Sequence, residues 1–414
     1  MSYAISTSGL NAATQSLNTI SMDIANSATV GYMEATTTFS ALYTGGQAAG
    51  VSSGYTTQNF SALGTTTFTG RDLDMAITGD GFFITQGSDG QTYYTRAGNF
   101  HQDEDGYIVD SNGNRVQGYP VDENGNVMTG QLDDLQLKNG SMPPMPTSDV
   151  DLGMNLDQSA VEIIRDVDGD GIEEVPFDPA NPNSYHSTNS TVVYDSMGNQ
   201  HTVSQYYTKT ADGTWEVNVY VDGQDANAYC TPPGPQTMTF DSDGNLTSGG
   251  NFTLEVPASD PIMGGANTLT IDVDMSETTQ FATPFSNQLN SSNGYPAGEQ
   301  TGVTVDESGM IFATYSNGEK MPQGQVVLAM FPNPEALSVA NNTSWTESSE
   351  SGMPLYGTPG TGIYGGIASQ NLQASTTDVT GEMVYMMEVQ RNYQANTKAI
   401  MVQSQMDQAL MAIL

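Results

Sequence analysis

The sequence predicts a mainly β protein with terminal α-helices: paired, coiled-coil-like N- and C-terminal helices, a discontinuous β-domain, and a nested β-sandwich or barrel inserted in it. Apolar residues recur at intervals of seven in residues 1–26 and again in residues 371–414. The chain between them contains most of the 44 Gly and 19 Pro, and only 37% of all residues are hydrophobic. This composition is typical of short strands joined by tight turns, and 414 residues leave room for two to four domains.

Residues 1–26 and 371–414 are predicted to form a terminal helical domain. An apolar period near 3.5 residues indicates a narrow coiled-coil seam rather than the wider stripe of a helix lying on a globular core. The seam residues are Leu10, Ala13, Leu17, Ile20 and Ile24 in the first segment, and Val379, Met383, Met386, Tyr393, Ile400, Met406 and Ile413 in the last. The alternative, in which each end is a surface helix docked on its own domain, stays open.

The remaining residues divide into a connector and two β-domains. Residues 27–70 and 359–370 are expected to be extended, and residues 71–148 and 281–358 to form a middle β-domain. Residues 149–280 read as an outer inserted β-domain, because strands such as 215–221 alternate apolar and polar side chains. The Asp-Gly and Asn-Gly pairs at 105–106, 112–113 and 124–125 favour tight hairpins, since these residues tolerate positive φ.

The charge is strongly acidic and unevenly placed. The net charge of −38 reflects 47 acidic residues against only nine Lys and Arg, which excludes nucleic acid and disfavours an anionic membrane as partners. Residues 1–70 carry only Asp23 and Glu34, and residues 371–414 have a net charge of −2, which leaves −34 for residues 71–370. If copies pack through their ends, the near-neutral segments meet and the acidic segments stay in solvent.

No segment has the roughly 20 apolar residues of a membrane span, so no membrane insertion is expected. The N-terminus also lacks the basic and apolar regions of a secretory signal. From the lack of a membrane span and of a secretory signal alone, the protein is expected to stay in the cytoplasm.

One short motif has the chemistry of a metal site. Asp166, Asp168 and Asp170 match the first half of a calcium-binding EF-hand loop, in which alternate carboxylates converge on one cation. The twelfth position, which requires Glu, is Phe177. A Ca²⁺ site and a solvated acidic turn both stay open.

The sequence offers no candidate catalytic residues, and the protein is predicted not to be an enzyme. His101, His186 and His201 have no nucleophile pattern near them and read as surface histidines. A single cysteine, Cys230, excludes an intrachain disulfide.

Four separated stretches resemble the signature segments of the bacterial flagellar rod and hook family. They occur in the family's order, at residues 26–32, 72–83, 94–120 and 390–396. Rod members are much shorter, so a chain of this length with a central insertion is similar to the hook members. Two positions depart from the family: Asp23 stands where Asn is usual, and Met33 where a basic residue is usual.

The resemblance implies a structural subunit that assembles with itself into the curved helical tube of the hook. This tube is a universal joint that transmits motor torque to the filament in swimming motility. The implied partners are further copies of the chain, the flagellar rod, the hook cap, the hook–filament junction proteins and the flagellar type III export apparatus. The location implied is extracellular, on the basal body, after export without a cleaved signal peptide. Some members are crosslinked between a Cys and a Lys of adjacent subunits, which raises the same question for Cys230 and Lys209.

Two other functions are also compatible with the sequence. A distal-rod axial component shares the end motifs, but should be straight when assembled and lack the insertion. A calcium-dependent extracellular adhesin accounts for the acidic β-region, but gives the terminal heptads no role. Deletion of residues 371–414 would separate a polymer subunit, which becomes a monomer, from an adhesin, which keeps its binding.

Overall fold

A computed structural model describes residues 2–44, 47–122, 125–163, 177–341 and 343–413. The chain forms two compact units. Unit 1 comprises Met1–Asn139, Thr301–Thr314 and Lys320–Leu414, and unit 2 comprises Gly140–Gln300 and Tyr315–Glu319. The fold class predicted from the sequence is confirmed, because the described chain is mostly strands with one long helix at each end.

The two long helices are α1 (Ser2–Ala25) and α2 (Val379–Ile413), and three short 3-10 helices lie at Asn227–Tyr229, Pro261–Met263 and Pro334–Ala336. The predicted start of the last helix, residue 371, is eight residues too early. The backbone N–H of Thr380 donates to the Asp378 carboxylate at 3.0 Å, which is the arrangement of a helix N-cap. Residues 371–373 form a short strand instead.

In chain order, the strands belong first to unit 1, then to unit 2 and then to unit 1 again. Unit 1 begins with β1 (Ala35–Thr44), β2 (Gln47–Gln58), β3 (Thr66–Phe68), β4 (Met75–Thr78), β5 (Phe82–Gln86), β6 (Thr92–Thr95), β7 (His101–Gln102), β8 (Ile108–Val109), β9 (Arg115–Pro120) and β10 (Asp133–Asp134). Unit 2 follows with β11 (Asp149–Asp157), β12 (Ser187–Tyr194), β13 (Gln200–Ala211), β14 (Thr214–Val221), β15 (Gln224–Asp225), β16 (Cys230–Thr231), β17 (Gln236–Phe240), β18 (Leu246–Ser248), β19 (Asn251–Val256), β20 (Leu269–Asp274), β21 (Thr279–Phe281) and β22 (Ser286–Ser292). The chain then returns through β23 (Gln300–Val305), β24 (Met310–Tyr315), β25 (Lys320–Val326), β26 (Leu328–Met330), β27 (Ser338–Val339), β28 (Ser344–Thr346), β29 (Leu355–Gly357), β30 (Gly366–Ser369) and β31 (Asn371–Gln373).

The prediction of an extended connector over residues 27–70 is wrong for residues 35–58. Strands β1 and β2 form a long antiparallel hairpin, in which Ala35 lies opposite Gln58. The hairpin packs on α1 through hydroxyl groups: the Thr19 and Thr37 oxygens are 2.8 Å apart, and the Val51 N–H donates to Ser8 Oγ at 3.0 Å. Because these contacts use Thr and Ser, the apolar pattern of the sequence does not reveal that the hairpin packs on α1.

The β-domain of unit 1 is one 13-stranded curled sheet with a hydrophobic core on each face. Strand β5 contributes side chains to both cores, because neighbouring side chains of a strand point to opposite faces of the sheet. Phe83 packs edge-to-face with Phe100 on one face, and Phe82 packs with Phe60 and Trp345 on the other. The Trp345 indole N–H donates to Gln58 Oε1 at 2.6 Å, which ties the end of the hairpin to this domain.

Unit 2 contains two six-stranded sheets that share one core. Leu152 and Ile271 of one sheet and Val203 and Val217 of the other are fully buried in it, as in a sandwich. The predicted boundary at residue 281 is wrong, because β22 pairs antiparallel along β11 and therefore belongs to unit 2. The largely polar and exposed side chains of β22 give the sequence no signal of this pairing.

Among the residues that the structure describes, six loops share a motif with Asp first and Gly fourth. In each loop the Asp Oδ1 accepts the backbone N–H of the fifth residue at 2.7–2.9 Å, and the Gly has positive φ. The loops are residues 103–107, 110–114, 122–126, 195–199, 241–245 and 306–310. The Asp-Gly and Asn-Gly pairs predict the turns at 103–107, 110–114 and 122–126, but the sequence does not reveal that the Asp carboxylate closes the loop.

Replacement of Asp110 by Ala should lower the free energy of unfolding of unit 1 by about 1–3 kcal/mol, because hydrogen bonds to a charged carboxylate are lost. The buried Asp110 carboxylate accepts hydrogen bonds from the backbones of Asn112 and Asn114 and from the Asn114 amide. Urea unfolding followed by tryptophan fluorescence measures the change. Asp105→Ala, at an exposed position of the neighbouring loop, is the matched control and should leave the midpoint unchanged. Equal effects of the two variants would contradict this account of the motif.

Candidate assembly site

The two terminal helices pack against each other in antiparallel orientation. Near one end Gly9 faces Asn396, where a Cβ atom on Gly9 would lie 2.9 Å from the Asn396 amide nitrogen, and near the other Asp23 faces Glu382. At 1.5 Å per residue, α1 is about 36 Å long and α2 about 52 Å. In this register α2 continues for about ten residues beyond the start of α1.

A narrow apolar core joins the two helices. Ala13, Ile20 and Val389 are buried in it, and the partly buried side chains around them are Leu17, Ile24, Met386 and Tyr393. Six of these seven residues belong to the seam predicted from the sequence. The sequence prediction did not include Val389, although it lies three residues after Met386, just as Ala13 lies three residues after Leu10.

The other predicted seam residues lie at the edge of this core or outside it. Leu10, Val379 and Ile400 are half-buried, whereas Met383 and Met406 are 55% and 56% exposed. The side chain of Ile413 lies outside the described residues. The helices expose further large apolar side chains, namely Tyr3, Ile5, Met22, Val384, Tyr385, Met387, Met401, Val402 and Met411. We call this set, with Met383 and Met406, the outer apolar surface; clustered apolar exposure of this kind marks sites of protein–protein contact.

Three carboxyl groups meet where α1 ends and α2 begins. Asp23 is 1% exposed, and its Oδ1 accepts hydrogen bonds from the Tyr32 hydroxyl at 2.8 Å and the Ala35 N–H at 3.1 Å. The side chains of Glu34 and Glu382 lie next to each other, and each lies in the electrostatic field of Asp23. We call Asp23, Glu34 and Glu382 the carboxylate cluster. Sequence comparison with the family pointed to Asp23 only as a departure, and its partners become evident only in the structure.

The cluster holds a proton near neutral pH. Burial raises the pKa of Asp23 and of Glu34. Burial, and then the negative charges of Glu34 and Asp23, raise the pKa of Glu382 to about 7. A carboxyl group protonated in this range can donate its hydrogen to the neighbouring carboxylate, which relieves the repulsion between them.

The sequence motif for calcium, Asp166, Asp168 and Asp170, lies outside the described residues. In the part of the chain that the structure describes, no group of three or more His, Cys, Asp and Glu side chains has an arrangement that could hold a metal ion. No helix among these residues has the length and apolar character needed to cross a bilayer.

The interpretation of all three histidines as surface residues is wrong for His201. Its ring is buried, with Nδ1 2.7 Å from Asp222 and Nε2 3.4 Å from Asp195. These contacts fix the start of β13 rather than form a site with a nucleophile. His101 is exposed and His186 is half-buried against Trp215.

The two residues considered for a crosslink are both buried in unit 2. Cys230 is 2% exposed, and burial raises the pKa of its thiol to about 12, which disfavours the reactive thiolate. The Lys209 amine donates to the Gln158 carbonyl at 2.8 Å. Neither side chain is presented at the surface of this fold.

A helix pair made from both chain ends, with apolar side chains on its outer surface and β-domains carried between the ends, is the architecture of a structural subunit that assembles with its own copies. Three families match the sequence in order: the flagellar hook protein FlgE/F/G D1 domain at residues 76–171, the flagellar basal body protein FlaE D2 domain at 155–295, and the flagellar basal body rod FlgEFG protein C-terminal at 368–413.

Full-length similarity identifies the family. The chain is 33% identical to the flagellar hook protein FlgE of Escherichia coli over 98% of both chains, and 32% identical to that of Rhizobium meliloti over 97% of this chain and 96% of the relative. The crystal structure of Helicobacter pylori flagellar hook protein FlgE2 has the same fold, with a TM-score of 0.53 and 16% identity, covering 74% of this chain and 100% of that one. The chain belongs to the flagellar hook protein family. It is a structural subunit of the hook, outside the cell, and neither the distal-rod nor the adhesin alternative receives support.

Stability of the helix pair should decrease as the pH rises through 7. Because the folded pKa of Glu382, about 7, lies above its ordinary value of 4.5, the folded chain holds a proton that the unfolded chain releases. The stabilisation is complete below pH 4.5 and is lost as the pH rises through 7. The groups facing Glu382 are Glu34, Asp23 and Asp378, and the Tyr32 hydroxyl faces Asp23.

Thermal unfolding of the monomer, followed by helical circular dichroism between pH 5.5 and 8.5, measures this dependence. Glu382→Gln should weaken it, whereas Glu388→Gln, at an exposed position of the same helix, should retain the wild-type slope. A slope for Glu382→Gln equal to that of the wild type would show that the cluster does not bind the proton.

Proposed function

We propose that copies of this chain polymerise head-to-tail, through their terminal helices, into the curved helical tube of the hook. This tube would act as a universal joint that transmits motor torque to the filament during swimming. Head-to-tail contacts that do not close into a ring generate helical polymers of this kind. The observation that carries the proposal is the outer apolar surface, which the helix pair of a single chain leaves exposed.

The distribution of charge supports contacts through the helices. The terminal segments are close to neutral, so their surfaces can approach without the repulsion that the net −34 of residues 71–370 would impose. The predicted seam fits the same assignment, with Met383 and Met406 exposed for contacts between copies. Methionine side chains adapt to changes in packing, as a tube that bends while it rotates requires.

Membership of the hook family supports the remaining partners as proposals. These are the flagellar rod at the proximal end, the hook cap during assembly, the hook–filament junction proteins distally and the export apparatus. Export would use an uncleaved N-terminal segment. An isolated α1 would bury little surface on its own, since its apolar contacts are with α2, so we infer that the ends fold together only after export.

Aspartate substitutions on the outer apolar surface should abolish polymerisation without unfolding the monomer. Val384 and Met387 are 58% exposed on α2, so Val384→Asp with Met387→Asp places two charges in the proposed interface. Burial of unpaired charge is costly, and we expect no tubes in electron micrographs and a monomer in sedimentation velocity. Met197→Asp, at a 59% exposed methionine of unit 2, is the control and should still form tubes. Tubes of wild-type length from the double variant would contradict the proposal.

Calcium binding by Asp166, Asp168 and Asp170 stays a proposal that rests on the sequence pattern alone. A loop with three of the EF-hand carboxylates should bind Ca²⁺ with a Kd of about 10⁻⁴–10⁻³ M, the range of extracellular modules. Isothermal titration of the wild type with CaCl₂ should give saturable heat, which replacement of the three Asp by Asn abolishes. Asp243→Asn, in a loop closed by Asp241, is the control and should bind as the wild type does. A linear titration of the wild type would leave the loop as a solvated acidic turn.

A further inference from the structure

We propose that the carboxylate cluster of one chain binds the Arg391 guanidinium of a second copy. The cluster would thus be a subunit contact that is incomplete in the single chain. This inference rests on the proposed polymerisation and specifies one of its contacts. It concerns a polar contact at the base of the helix pair, distinct from the outer apolar surface.

The buried member of the cluster lacks a partner on one side. Asp23 Oδ1 is fully engaged by Tyr32 and Ala35, but Oδ2 is buried and accepts no hydrogen bond from the residues that the structure describes. A buried carboxylate oxygen without a donor is costly, so it indicates a missing positive or donor group. Glu34 and Glu382 are only partly buried, so the cluster is open to solvent on their side.

The chain itself does not supply the missing cation. Within the described ranges, no ion pair joins Asp23, Glu34 or Glu382 to a basic residue. Residues 1–70 contain no Lys or Arg, and residues 371–414 contain only Arg391 and Lys398. The carboxylates therefore have no complementary charge in the terminal segments apart from these two side chains.

Helix geometry keeps both cations away from the cluster of their own chain. Arg391 is nine residues after Glu382 on α2, about 13.5 Å along the axis and about 180° around it. Lys398 is about 24 Å along the axis and about 160° around it. Both side chains are exposed, and Arg391 makes no ion pair among the described residues. Glu382 and Arg391 lie on opposite sides of α2. In a head-to-tail contact, Arg391 of one copy can therefore reach the carboxylate cluster of the next copy.

Arginine fits this cluster better than lysine. Glu34 and Glu382 lie side by side, and the planar guanidinium presents parallel N–H groups that bind paired carboxylate oxygens. Arginine also keeps its charge when it is partly desolvated at an interface. On binding, Glu382 releases its proton to solvent, and two carboxylates then face one fixed cation.

Charge reversal and its repair test the contact. Arg391→Glu and Glu382→Arg should each raise the critical concentration for polymerisation at least about tenfold, and the double variant should return it to within about threefold of the wild type. The critical concentration is measured by sedimentation of polymer at a series of total protein concentrations. Lys398→Glu makes the same change of charge on the same helix and should shift it less than about threefold.

Glu382→Arg could disturb the helix pair, and circular dichroism of the monomer would detect this. In that case a double-mutant cycle with uncharged Gln substitutions replaces the charge reversal. Glu382→Gln, Arg391→Gln and the double variant should then give effects on the critical concentration that are clearly less than additive. Additive effects, or a wild-type critical concentration for Arg391→Glu, would overturn the contact while polymerisation itself stands. A reversed double variant that folds but stays impaired would also overturn it, because Arg391 would then have another partner. Failure of the wild type to polymerise would instead refute the proposed function.

Discussion

The antiparallel packing of the two chain ends is the interaction on which the rest of the structure depends. To place α1 beside α2, the chain must leave the helices and return to them. It does so through short antiparallel pairs: Thr66–Phe68 with Asn371–Gln373, and Met75–Thr78 with Gly366–Ser369. The segment that follows α1 therefore pairs with the segment that precedes α2, and this pairing extends from the helices to the β-domain of unit 1. Long-range pairing of this kind explains why both termini serve one site.

The helix pair is weak by itself, and this weakness has a structural consequence. Of the described side chains, Ala13, Ile20 and Val389 are the ones buried in its apolar core, which is a small apolar area for two helices of this length. The ordering of two long helices costs conformational entropy that such a core scarcely offsets. The hairpin adds a hydrogen bond from the Val51 N–H to Ser8 and one between Thr19 and Thr37, but each contributes little net stability. Contacts with other copies would bury more apolar surface, and the outer apolar surface offers it.

The sequence predicts a contact in this fold when apolar side chains at regular intervals form that contact. Heptads reveal the helices and six of the seven residues in their core, because each contact is an apolar side chain at a fixed interval. The contacts between the hairpin of residues 35–58 and α1 use Thr and Ser, and strand β22 is mostly Ser and Asn, so no apolar period indicates these contacts. The carboxylate cluster joins positions almost 360 residues apart, and nothing local in the sequence relates Asp23 to Glu382.

Because basic residues are scarce, few of them are available to pair with carboxylates of another copy. Arg71, Arg115 and Lys209 pair with carboxylates within the fold, and Arg96 is buried over the ring of Phe82. In a chain of net charge −38, most surface approaches between copies are repulsive. An apolar seam alone tolerates several registers, since neighbouring heptads present similar side chains. An exposed cation on α2 and a single acidic cluster at its base can be joined in few of these registers, so electrostatics would select one relative position of the subunits while apolar burial supplies most of the affinity.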